Sequence, residues 1–132
     1  MKKKGILNSE ISKVLSDMGH TDMLTIADCG LPVPNEVRKI DLALRFGTPS
    51  FVETLTEVLK DIKVEKIILA EEIKENNEYV LKEINNLLDD KVEVEFISHN
   101  DFKELTKKSK AIIRTGENTP YSNIILVSDC IF

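Results

Sequence analysis

His20, Asp28, His99, Lys103, Tyr121 and Asn123 are the residues of this 132-residue chain whose types could move protons or hold a polar ligand. Only two histidines are present, His20 and His99. Histidine's ordinary pKa of about 6.5 lies nearest neutrality, which suits it to giving and taking protons. His20 follows the helix-like stretch "ISKVLSDMG". There the helix dipole and free carbonyls favour an imidazolium, the setting of a general acid and equally of a C-terminal cap. Asp28 and His99 each come directly after a strand-like run, "MLTIA" and "VEVEFIS". In open α/β sheets ligands bind beyond the carboxyl ends of the strands, so both positions suit a site. Lys103 falls in the first turn of a helix expected to start near Asn100 or Asp101, where its charge opposes the dipole. Turn, cap and solvent-facing roles are the plainer readings of these three residues taken singly.

In "RTGENTPYSN" Gly116 and Pro120 shape a turn that presents Tyr121 and Asn123 at the start of the last strand. Alternation along a strand would point those two the same way. A phenol and an amide together donate and accept hydrogen bonds, which suits a neutral polyhydroxylated ligand. A hairpin turn with Tyr121 covering the core edge fits the same residues. Cys29 has no evident base beside it, and the neighbouring Glu71 and Glu72 at a strand end would point to opposite sides. No GxGxxG or phosphate-loop pattern is present, so a nucleotide is not indicated. His20, Asp28 and His99 could form a two-histidine, one-carboxylate metal site; their spacing neither supports nor excludes it.

The elements that must position these residues are legible as patterns. Ile11, Val14, Leu15 and Met18 recur at helical spacing, with Asn8 or Ser9 as cap and Gly19 as the stop. "MLTIA" reads as a strand, "DCGLPVPN" as an irregular loop and "RKIDLAL" as a strand or an extended connection. "TPSFVETLTEVLKDI" predicts a helix capped by Thr48 with Pro49 in its first position. "KIILA" and "VEVEFIS" read as strands around the helix "NNEYVLKEINNLL". A short helix, "NDFKELTKKS", and two strands, "AIIRTG" and "NIILVSD", complete the chain. This alternation predicts an α/β fold: a single three-layer domain over residues 1–132, with a largely parallel sheet flanked by helices.

Composition narrows the function classes. Hydrophobic residues at 42% and charged residues at 31% describe a soluble globular chain. A net charge of −5 argues against a nucleic-acid partner, which needs a basic face. "MKKKGILNSEIS" lacks the apolar core of a signal peptide, so a cytoplasmic location is expected, with no membrane partner. Cys29 and Cys130 show no metal spacing and read as free thiols.

His20 precedes the strand "MLTIA" and Asp28 follows it, which separates them by roughly 17 Å at about 3.3 Å per residue. For both to serve one small ligand, either the strand is much shorter or the site forms between chains. The second arrangement is the one expected.

The blocks "GHTD", "DCGLPVP" and "RTGENTPYSN", with "LAEEI" and "ISH" between them, closely resemble the D-ribose pyranase family, related to the fucose mutarotases. Nearly the whole chain takes part in the resemblance; Cys29 stands where a small residue such as alanine is more usual. The resemblance implies an isomerase, without metal or other cofactor, that interconverts the pyranose and furanose forms of D-ribose. It implies His20 as proton donor and Asp28, His99, Tyr121, Asn123 and Lys103 as sugar-binding residues. It also implies a homo-oligomer, a decamer of two pentameric rings, with sites near subunit boundaries. Rival readings are a mutarotase of L-fucose or another aldose, a non-catalytic sugar-binding partner of ribose uptake, and a metal hydrolase.

Overall fold

The alternating apolar runs and amphipathic stretches form a six-stranded sheet with helices on both faces in the computed structural model, which describes residues 1–132. The strands are β1 (Met23–Ala27), β2 (Arg38–Asp41), β3 (Val64–Ala70), β4 (Glu93–Ile97), β5 (Ser109–Arg114) and β6 (Ile124–Ser128). The helices are α1 (Ser9–Asp17), α2 (Phe51–Asp61), α3 (Ile73–Asn76), α4 (Glu78–Leu87) and α5 (His99–Leu105). Sheet order is β2-β5-β1-β6-β3-β4. β6 runs antiparallel to both its neighbours, β1 and β3, and every other pairing is parallel. The carboxyl ends of five strands and the amino end of β6 therefore share one edge. β5 and β6 are consecutive in the chain, yet β1 lies between them, so residues 115–123 cross over the end of β1 and do not form a hairpin turn.

Side chains alternate between two cores because strand residues point in turn to opposite faces. On one face α1, α2 and α4 bury Ile11, Val14, Phe51, Leu55, Val58, Val80 and Ile84 against Leu24, Ile26, Ile67, Leu69, Ile124 and Leu126. Phe51 is fully buried, and truncating a side chain of that kind costs about 3–5 kcal/mol. The other face is thinner. Phe102 of α5, with Leu31 and Val37 from the loop after β1, covers Ala27, Ile68, Ile112 and Ile125. The three layers expected from the sequence are thus present, the third built partly from loop.

Local signals shift some boundaries. Asn8 caps α1 by accepting from Ile11 N–H. That helix stops at Asp17 because Met18 is already extended, two residues before His20 and ahead of Gly19. The cap of α2 is Ser50, which accepts from Glu53 N–H, and not Thr48. Ser98 caps α5, so that helix starts at His99. Lys103 therefore lies in its last turn, where its charge suits the dipole and does not oppose it. No helix is long and apolar enough to cross a membrane.

Candidate active site

The edge that gathers the strand ends also gathers most of the polar residues singled out above. Because β6 runs against β1, with Ile124 opposite Ile26, the residue before β6 meets the residue after β1. Asn123 Nδ2 donates to Asp28 Oδ2 at 2.8 Å, and Asp28 N–H donates to Asn123 Oδ1 at 2.9 Å. Gly30 N–H donates to the other carboxylate oxygen, Oδ1, at 2.9 Å. Asn123 is fully buried and Asp28 half-buried, so the pair fixes a carboxylate that keeps lone pairs to spare.

Tyr121 stands beside this pair with a left-handed φ of +57°, a conformation uncommon outside glycine and concentrated at functional sites. It is in the crossover, not in the strand, so its placement does not come from strand alternation. Its ring meets the His99 ring edge to face at 5.1 Å, while Phe102 lies nearly parallel to His99 at 6.4 Å. Glu72 accepts the His99 backbone N–H through both oxygens, at 2.9 and 3.2 Å, adding a carboxylate to the amino end of α5. His99 Nδ1 is buried and has no hydrogen-bond partner within the chain. Buried ring nitrogens are ordinarily bonded, so this one is equipped to meet a ligand.

Supporting residues that sequence patterns missed hold the crossover in place. Asn77 caps α4 through Oδ1, while its Nδ2 lies 2.9 Å from Thr119 Oγ1, 2.8 Å from the Pro120 carbonyl and 3.0 Å from Ser122 Oγ. Its place before "EYVLKEI" announces the cap, but nothing local announces the crossover. Gly116 packs directly on the Arg45–Thr48 turn: a Cβ there would lie 2.4 Å from the Arg45 and Thr48 carbonyl oxygens. Arg114 spans Asp41, 3.1 Å from each carboxylate oxygen, and donates to the Cys29 carbonyl at 3.1 Å, anchoring the loop that carries Asp28. Lys103 lines a cleft with Pro32, Val33 and Pro34 and makes no ion pair. Cys29 and Cys130 are both free thiols.

His20 lies at the opposite edge. Its Nε2 is 2.9 Å from Glu65 Oε2 at the start of β3, and Asp129, after β6, completes a group whose ligand atoms lie within 4.8 Å of one another. Lys63 bonds Asp129 at 3.2 Å and holds its carboxyl below the usual range. Thr21, at φ +69°, turns the chain into β1 and donates its N–H to the Ser128 carbonyl at 2.9 Å. β1 keeps all five residues of "MLTIA", so one chain does not bring His20 to Asp28. The two-histidine, one-carboxylate arrangement is likewise absent within a chain, since His20 and His99 occupy opposite edges.

Known proteins resemble this chain along its whole length. Residues 1–131 match the model of the RbsD / FucU transport protein family. A D-ribose pyranase of Streptococcus uberis is 59% identical over 97% of each chain, and one of Bacillus cytotoxicus is 53% identical over 100% of each. The structure of Bacillus subtilis RbsD complexed with D-ribose is 52% identical, covers 100% of both chains and superimposes with a TM-score of 0.97. The fucose mutarotase of Streptococcus pneumoniae, solved with L-fucose, shares the fold at a TM-score of 0.78 and 23% identity, over 96% of this chain and 95% of its own. With the family match, the sequence identity and the fold in agreement along the whole chain, the chain belongs to the RbsD / FucU transport protein family.

Proposed function

We propose that this chain is a sugar isomerase that interconverts the pyranose and furanose forms of D-ribose by acid–base ring opening and reclosure. The observation that carries the reading is the near-identity of its fold to a relative solved with D-ribose, joined to a polar edge built from Asp28, Asn123, Tyr121 and His99.

Changing ring size needs only proton transfers. An acid protonates the ring oxygen as its bond to the anomeric carbon breaks, and a base takes the proton of the anomeric hydroxyl, leaving the open aldehyde. A different hydroxyl then closes on that carbon and the protons return. Positioned acid–base groups contribute roughly 10²- to 10⁴-fold to such steps, so neither metal nor other cofactor is required. His20 is the proposed proton donor. Asp28 accepts from sugar hydroxyls, His99 Nδ1 and the Tyr121 phenol bond others, and Asn123 fixes Asp28; Lys103 contributes a charge from α5.

Since His20 and Asp28 of one chain sit a strand apart, a complete site takes His20 from one subunit and the sugar-binding edge from the next. A ring of copies, five to a ring and two rings to a decamer, satisfies that requirement for every subunit. Fucose is disfavoured as substrate because the fucose mutarotase is the far more distant relative.

NMR exchange spectroscopy on D-ribose tests the reading. Wild-type protein should speed exchange between pyranose and furanose signals, and His20→Ala should abolish the acceleration while ribose still binds. Ribose binding by wild type with no acceleration would instead identify a non-catalytic partner of ribose uptake.

A further inference from the structure

The pairing of β3 with β6 slips by one residue: Val64 faces Ser128 and Lys66 faces Val127, so two steps along β3 match one along β6. Glu65 is the extra residue. A bulge of this kind bends its strand and re-aims a side chain, and here the carboxylate meets the His20 ring at 2.9 Å. A carboxylate only accepts hydrogen bonds, so the nitrogen facing it, Nε2, carries a hydrogen. Asp129 is the other nearby acid, but Lys63 and the Cys130 N–H, at 3.2 and 2.8 Å, engage it. Glu65 is therefore His20's partner, with Oε2 the acceptor.

We propose that Glu65 is a positioning residue that holds His20 with hydrogen on Nε2, making Nδ1 the atom that exchanges protons with the sugar. The proposal rests on the reading of His20 as proton donor. In the donating state both ring nitrogens carry hydrogen and Glu65 stabilises the imidazolium. The Nδ1 proton passes to the sugar's ring oxygen as the carbon–oxygen bond breaks, leaving neutral imidazole with hydrogen on Nε2. The anomeric hydroxyl's proton leaves to a base on the Asp28 side, and reclosure returns both. The backbone around His20 supports this pose: Thr21 N–H bonds the Ser128 carbonyl, and Gly19 N–H bonds the Asp22 carboxylate, each at 2.9 Å.

Long-range ¹H–¹⁵N NMR of His20, read with ribose-exchange kinetics on the assembled protein, tests this. Neutral His20 in wild type should show hydrogen on Nε2 alone. Glu65→Ala should return the ring toward the mixed tautomers of free imidazole and lower kcat by about tenfold or more, with KM within about twofold. Glu65→Gln, whose amide oxygen still accepts from Nε2, should recover part of the loss. Hydrogen on Nδ1 in wild type, or an unchanged kcat in Glu65→Ala, would overturn the proposal. His20→Ala separates the two ideas: activity surviving it sinks the reading of His20, whereas activity lost there but kept in Glu65→Ala sinks only the role of Glu65.

Discussion

His20 and Asp28 stand at opposite ends of β1 and share no hydrogen-bond partner: His20 pairs with Glu65, Asp28 with Asn123 and Gly30. If one sugar needs both, inactive variants should complement each other. His20→Ala and Asp28→Ala should each lack exchange activity alone. Mixed in equal amounts, dissociated and reassembled, they should recover about a quarter of the wild-type sites, the share in which both contributing chains supply an intact half. Recovery of nothing in a properly assembled mixture would place both residues in one chain's site.

Asn123→Ala should loosen Asp28. It removes a buried amide that both donates to the carboxylate and accepts from the Asp28 N–H, so a loss of about 1–3 kcal/mol in denaturant unfolding is expected. Exchange activity should fall by at least about tenfold, because small displacements of a substrate-positioning group are costly.

Asn77 joins the cap of α4 to the crossover that carries Tyr121. Asn77→Ala removes the α4 cap and the ties to the crossover, with about 1 kcal/mol lost from the cap alone. Asn77→Asp keeps an acceptor for Val80 N–H but cannot donate to the Pro120 carbonyl. Its new carboxylate oxygen would face that carbonyl in a buried place, so it should lower the melting temperature despite the kept cap and raise KM for ribose, since Tyr121 follows Pro120 directly.

Acid should weaken the anchor of the Asp28 loop. Burial works to raise the Asp41 pKa, but the Ala43 N–H and then Arg114 outweigh it, and the carboxyl titrates below its ordinary 3.8. A lowered folded-state pKa means stability that is present above the ordinary value and lost as pH falls through the folded one. Melting temperature should therefore drop below about pH 3.8, and Arg114→Met should make that part of the drop shallower. The pair is partly solvent-accessible, so its share is at most about 1 kcal/mol.

Much of this arrangement is written in local pattern. "MLTIA" predicts β1 residue for residue, and its length alone separates His20 from Asp28. That Asp28 and His99 share one edge is readable, because parallel strands bring their carboxyl ends together. The direction of β6 is not readable: "NIILVSD" is apolar whichever way it runs, and its reversal is what lays Asn123 against Asp28. Glu72, Asn77 and Glu65 stayed hidden for a related reason. They act on residues 27, 42 to 45 and 45 positions away, where only the folded topology makes neighbours. Lys103 falls in the last turn of α5 and not the first because Ser98, ahead of the polar run Asn100–Asp101, is the cap.

The antiparallel pair of β1 and β6, in register from Met23 opposite Val127 to Ile26 opposite Ile124, has a consequence for assembly. It is a gauge of fixed length, with the proposed donor His20 at one tip and the proposed sugar-binding edge at the other. Removing two residues from each strand would preserve which side chains face each core yet shorten the gauge by about 7 Å. In the proposed assembly each copy applies the same offset to the next, and a repeated offset either closes at one copy number or runs on as a filament. On that proposal, the length of the two central strands sets how far apart His20 and Asp28 stand in one chain, and so the offset that a neighbouring copy must supply.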